Sequence, residues 1–207
     1  MNRDSAKSAA APRLRARLKE ATGEAIRVAA EEVLGEQGFG ARMEDIAARA
    51  GVSVGTLYNH FKDREALLLE LLRVRREQLL ERVDTLVGEV DGRAVGEQLR
   101  ALLGLVLDHF REHSRFFALV LQSELHRGPA LPRQRTTLTE LSTRVEVVLQ
   151  RGVAAGQVRR EGAEFHATLL VGMLRGLLLR VAETQRGDEL QRGADELLRL
   201  FLKGIEV

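Results

Sequence analysis

An all-α architecture in two helical domains follows from three features of this 207-residue sequence. Apolar residues recur at helical spacing over long stretches, breakers are confined to short connections, and no run alternates with the period of two that a half-buried strand needs. About nine helices are expected on this spacing.

The first helix is expected from Leu14 to about Gln37, where Leu18, Ala25, Ile26, Ala29, Val33 and Leu34 share one face and Gly38 follows as a left-handed C-cap. A short helix, about Met43 to Ala50, turns Ile46, Ala47 and Ala50 inward. Gly51 permits a sharp turn, Ser53 can cap the next helix, and that helix runs from about Val54 to His60. Asp63 can cap a long helix to about Val87 with leucines along its buried side, roughly 35 Å of strut. Five further helices are expected: Arg93 to Glu112, Ser114 to His126, Gln134 to Gln157, Ala163 to Arg186 and Asp188 to Glu206. Their connections are short and carry glycine and proline, as in Gly128-Pro129 and Gly162.

Composition narrows the function. With no cysteine, disulfides, thiolate metal sites and cysteine nucleophiles are excluded. Met1 to Pro12 lacks the apolar segment of a secretory signal, and the apolar stretch Ala167 to Ala182 is cut by Arg175 and Arg180, so a cytoplasmic protein with no membrane span is expected. Net charge is only +2, yet Arg3, Lys7, Arg13, Arg15, Arg17 and Lys19 face Asp4 alone at the N-terminus. Such a tail can lie along phosphates, although 28 of the 32 basic residues are arginine, a bias that lowers the information in any one of them. Glycine-rich phosphate loops are absent, and no cofactor is expected.

Residues 42–61 have the logic of a helix-turn-helix: two short helices separated by a small residue and glycine, so that the second is held across the first. The second helix presents Val54, Gly55, Thr56, Tyr58, Asn59 and His60, while Leu57 and Phe61 point back to the core. Short side chains let such a helix sit deep in a major groove, where Thr or Val can meet a thymine methyl and Asn can read adenine.

The ordered series Gly38-Phe39, Ile46-Ala47, Ala50-Gly51-Val52-Ser53, Gly55-Thr56-Leu57-Tyr58, His60-Phe61 and Arg64-Glu65-Ala66-Leu67 resembles the DNA-binding signature of the TetR (tetracycline repressor) family. The resemblance covers residues 19–79 and leaves 80–207 as a regulatory and dimerisation domain. It implies that Ser53, Val54, Gly55, Thr56 and Asn59 face bases or the groove floor, and that Tyr58, His60 and Lys62 hold phosphates, helped by the amides opening the long helix. Where the family usually carries two threonines before helix 2, this chain has Arg42 and Met43. Both are DNA-contact candidates; a threonine would cap helix 2 and touch a phosphate, and Arg42 could reach a phosphate or a base instead.

The resemblance also implies a homodimer through the last two helices, placing two recognition helices about 34 to 36 Å apart on a palindromic operator. Leu169, Gly172, Met173, Gly176 and Leu177 in the helix from Ala163, with Leu198, Phe201 and Leu202 in the last one, are interface candidates. The middle helices of the family often enclose a small-molecule effector. Candidate pocket residues are His109, Phe110, Phe116 and Phe117, followed by Leu121, Gln122 and His126.

One string belongs to another class of function. His109-Phe110-Arg111-Glu112-His113 satisfies H-x-x-E-H, the inverted zinc-peptidase pattern, with two histidines one turn apart. A peptidase also needs a third ligand and a cleft, and neither is evident. The expected activity is therefore a repressor relieved by a small molecule and not an enzyme. A transcriptional activator, a ligand-independent regulator, a regulator responding to metal at His109 and His113 with Glu112 or His126 as a further ligand, and a protein-binding helical adaptor are the alternatives.

Overall fold

The computed structural model describes residues 4–117, 137–184 and 186–207. Its helices are α1 (Asp4–Gln37), α2 (Met43–Arg49), α3 (Val54–His60), α4 (Arg64–Glu89), α5 (Val95–Glu112), α6 (Thr137–Ala154), α7 (Ala163–Thr184) and α8 (Glu189–Ile205). A 3-10 turn, Gly38–Gly40, follows α1, and residues 114–117 are helical. Among the described residues the only β pairing is an isolated bridge between Val158 and Glu206. The all-α expectation is met.

Local chemistry sets the boundaries in the first half. Gly38 takes φ 69° and Gly51 φ 68°, left-handed conformations that a Cβ disfavours, so both chain reversals fall at glycine. Ser53 Oγ accepts the Thr56 amide at 3.0 Å to open α3, and Asp63 Oδ1 accepts the Ala66 amide at 2.8 Å to open α4. The first helix begins at Asp4, ten residues earlier than its apolar periodicity indicated. The expected helix Ser114 to His126 lies mostly outside the described residues.

The chain divides into two compact units, Met1–Leu72 and Arg73–Val207, and the division falls inside the continuous helix α4. In the first unit Ile26, Ala30, Ile46, Leu57 and Leu67 are withdrawn completely from solvent, so α1, α2, α3 and the start of α4 share one core. Burying a leucine or isoleucine side chain contributes about 1.5–3 kcal/mol. Arg49 of α2 clamps Glu32 and Glu36 of α1, both at 3.0 Å, and Arg64 reaches the Ala41 carbonyl at 3.4 Å.

The core of the second unit joins the C-terminal half of α4 to α5, α6, α7 and α8, with Val83, Leu99, Leu107, Val148, Leu190 and Leu198 among its innermost members. Ion pairs brace its rim: Arg144 grips Asp84 with two hydrogen bonds of 2.8 Å, and Arg82 meets Glu112 at 2.9 Å. The Asp84 carboxylate raises the pKa of Arg144 above its ordinary value by that hydrogen bonding. Helix α5 has no side-chain cap of its own, and the Gln157 side-chain oxygen accepts the Val95 amide at 2.9 Å from beyond the end of α6. Helix α7 is, among the described residues, long and apolar enough to cross a membrane; its inward face of Leu170, Leu174, Leu178 and Val181 is part of this core.

Candidate DNA-binding surface and effector region

Helix α3 is anchored from behind and open in front. Leu57 is fully buried and Phe61 nearly so, and they fix the rotation of the helix. That rotation leaves Val54, Gly55, Tyr58 and Asn59 exposed, with Thr56 and His60 half-buried. Ser53 Oγ and Thr56 Oγ1 lie 2.8 Å apart, so the cap also holds the threonine hydroxyl in place. His60 packs its ring toward Gly23 of α1: a Cβ built on Gly23 would stand 3.5 Å from His60 Nδ1. Lys62 is exposed in the turn ahead of α4. What the arrangement offers is a shallow face of hydroxyl, amide and phenol groups flanked by a lysine and an imidazole, the chemistry that meets base edges and phosphates.

Two residues proposed at the start of α2 part company. Arg42 is exposed, makes no cap to α2, and stands 3.5 Å from Glu44. The Glu44 carboxyl is held below its usual pKa, first by a hydrogen bond from its own backbone N–H and further by Arg42. Met43, by contrast, is 7% exposed and belongs to the core, so its assignment as a DNA contact is corrected: the thioether is spent on packing. The expected N-terminal phosphate contacts at Arg3, Lys7 and Arg13 fall on side chains outside the described ones.

In the second unit, the candidate interface divides in the same way. On α7, Leu169 is 56% and Met173 38% exposed, with Gly172 and Gly176 open beside them and Phe165 extending the stripe. Leu177 and Leu202 are half-buried. On α8, Leu198 and Phe201 are buried inside the chain's own core, which corrects their placement on an outer face. The apolar periodicity of α8 identified a buried face without saying what buries it.

The effector candidates meet a similar outcome. His109, Phe110 and Phe116 are buried, and Phe117 stacks near Phe110 with ring centroids 6.1 Å apart. Leu121, Gln122 and His126 lie outside the described residues. A small apolar cavity of about 30 Å³ opens elsewhere, lined by Val83 of α4, Leu99 and Val106 of α5, Leu141 of α6, and Leu170 and Leu174 of α7. Sequence reasoning missed these residues because an aliphatic cavity wall and a solid aliphatic core have the same periodicity.

Around His109 the structure assembles a different group. His109 is 2% exposed, and neither ring nitrogen has a hydrogen-bond partner among the described residues. Its ring stands 5.0 Å from that of His113. Ligand atoms of His109, Glu112 and His113 all lie within 4.8 Å of one another. Burial, and then the neighbouring His113 and Arg82, push the His109 pKa down to about 4.

Comparison with known proteins decides the family. The pattern described as "Bacterial regulatory proteins, tetR family" matches residues 26–71, and "Tetracyclin repressor-like, C-terminal domain" matches residues 96–176, together more than half of the chain. The chain belongs to the TetR family. Family members of this kind are transcriptional regulators and not enzymes, so H-x-x-E-H on α5 is not a peptidase site. The chain is 30% identical over 91 residues to the helix-turn-helix-type transcriptional regulator YerO of Bacillus subtilis (strain 168), a match spanning 44% of this chain and 32% of YerO. The fatty acid metabolism regulator protein of the same organism is 26% identical over 186 residues, 86% of this chain and 92% of its own length. Among solved TetR structures, Thermus thermophilus FadR in complex with lauroyl-CoA superimposes with a TM-score of 0.63 at 26% identity, covering 89% of this chain and 95% of that one.

Proposed function

We propose that this TetR regulator is a cytoplasmic, homodimeric repressor that binds a palindromic operator through Ser53 to Lys62 and is released by a small molecule with a long hydrocarbon portion. The observation that carries the DNA reading is the face of α3, where Leu57 is fully buried while Tyr58 and its polar neighbours stand outward. In this reading Ser53, Val54, Gly55, Thr56 and Asn59 face bases or the groove floor, and Tyr58, His60, Lys62 and Arg42 hold phosphates. The domain assignment follows the same division of labour, with residues 19–79 for DNA and 80–207 for regulation and dimerisation.

The α7 stripe of Phe165, Leu169 and Met173, interleaved with Gly172 and Gly176, supports dimerisation. Glycines four apart let a second helix approach closely, and such a run of exposed apolar residues is stabilised by a covering surface.

For the effector, the support is the aliphatic cavity among α4, α5, α6 and α7 together with the acyl-CoA bound by the Thermus FadR and the fatty-acid role in the Bacillus relative's name. At about 30 Å³ the cavity is far below the roughly 300–1,000 Å³ of a ligand pocket. An acyl chain must therefore wedge α5 and α6 apart. Because Arg82 and Asp84 tie α4 to Glu112 and Arg144, that movement bears on the helix leading to the DNA-binding unit. A coupling of about 1–3 kcal/mol, roughly 5- to 150-fold in operator affinity, suffices for a switch.

The deciding experiment is selection of bound sequences from a random duplex pool, followed by titration of the winner at two salt concentrations and against a series of acyl-CoAs. Enrichment of a palindrome, a steep salt dependence and release by one chain-length class are expected. Absence of enrichment from folded, dimeric protein would reject the operator reading, and release by no acyl-CoA would reject the effector class alone.

A further inference from the structure

The structure assigns a second, unrelated site to the end of α5: we infer that His109, Glu112 and His113 form a binding site for a divalent transition metal of the zinc class. Three observations converge there. The residues stand at i, i+3 and i+4 on one helix, so a single turn brings two imidazoles and a carboxylate to one side, with ligand atoms mutually within 4.8 Å. His109 is 2% exposed, yet both of its ring nitrogens lack a hydrogen-bond partner among the described residues. A buried polar group in that state costs roughly 1–3 kcal/mol unless something satisfies it. The third observation is chemical: two imidazole nitrogens and one carboxylate oxygen are the donors that zinc-class ions prefer, and they leave a fourth position for water.

The geometry is close to what a metal requires. With metal–ligand bonds of about 2.0–2.2 Å, tetrahedral ligand atoms sit about 3.4 Å apart. Rotation of the exposed Glu112 and half-buried His113 side chains by about an ångström closes the difference, while His109 remains fixed by its surroundings. Phe117, with its ring centroid 5.5 Å from that of His109, shields the site.

Occupancy has a mechanical consequence. Glu112 is held by Arg82 of α4 at 2.9 Å, and a metal drawing on the same carboxylate competes for it. Metal binding therefore loosens one of the ties between α5 and α4, on a part of the helix different from the aliphatic cavity. The metal site itself does not depend on the operator or effector reading.

The test is titration of the full-length, tag-free protein with Co²⁺ and Zn²⁺, following the cobalt ligand-field spectrum and Zn²⁺ affinity by calorimetry. One ion per chain is expected, with the intensity of a four-coordinate cobalt centre. The variants His113→Gln and Glu112→Gln, both at sites with solvent access, should each lose at least about tenfold in affinity, as even removal of an outer-sphere partner does. His60→Gln should bind as the parent does. The chain has no cysteine and only five histidines, so few competing sites exist. Absence of a cobalt spectrum, or a spectrum and affinity unchanged in His113→Gln and Glu112→Gln, would overturn the assignment.

Discussion

The two units of this protein bury apolar residues by different rules. In the first, α3 and α4 open on side-chain caps from Ser53 and Asp63, each three residues ahead of the amide it accepts, and α1 to α4 close around one dense core. In the second, long helices meet in a larger core that leaves a small aliphatic cavity, a buried imidazole with no partner among the described residues, and an apolar stripe on α7. The contrast locates the imperfections of the packing: among the described residues they lie in the second unit.

The sharpest way to break that contrast is to cut into the dense unit. Leu57→Ala should cost about 2–5 kcal/mol, read as a lowered denaturation midpoint with loss of operator binding. A cost below 1 kcal/mol would show that α3 relaxes around the void and that the first unit is no more rigid than the second. The orphaned imidazole gives the next effect. His109 has its folded pKa pushed down to about 4 from an ordinary 6.5, so the unfolded chain takes up the proton first. In metal-free buffer, stability is retained above pH 6.5 and falls as the pH drops toward 4, by at most about 3 kcal/mol. His109→Leu should flatten this part of the profile.

Smaller effects sharpen the comparison further. Asn59→Ala should cost about 1–3 kcal/mol on the preferred operator and little on unrelated duplexes, whereas Tyr58→Ala should weaken all duplexes similarly. Competition binding with the two kinds of DNA separates the roles. Val106→Ile adds one methylene to the cavity wall and should stabilise the chain by up to about 1 kcal/mol while weakening an acyl effector, seen by thermal denaturation with and without ligand. The matching enlargement Ala47→Val, at a residue 1% exposed in the first unit, should instead destabilise by about 1–3 kcal/mol.

Legibility from sequence follows the same division. Ser53, Asp63, Gly38 and Gly51 act within a few residues of themselves, so their roles can be read from neighbours along the chain. Leu57 facing inward and Tyr58 outward were equally accessible, because adjacent helix residues point about 100° apart and the apolar one takes the core side. Met43 was misplaced because its position was judged by what relatives carry there, although its side chain is as apolar as the core that receives it. Leu198 and Phe201 were misplaced for the opposite reason: periodicity shows that a face is buried, and only the assembled structure shows whether its own chain or a partner buries it. The cavity beside Val106 had no sequence signal at all, since a void is defined by distances among four helices.

The borrowed cap on α5 bears on the order of folding. Helices α3 and α4 carry their own first-turn acceptors, three residues away along the chain. The Val95 amide must wait for Gln157, 62 residues away, so the first turn of α5 is completed only when the end of α6 arrives and the intervening loop entropy has been overcome. Translation itself imposes a delay, because Gln157 leaves the ribosome seconds after Val95 at about 5–20 residues per second. During that interval the caps of α3 and α4 are already on the chain, while the first turn of α5 still lacks its protein acceptor.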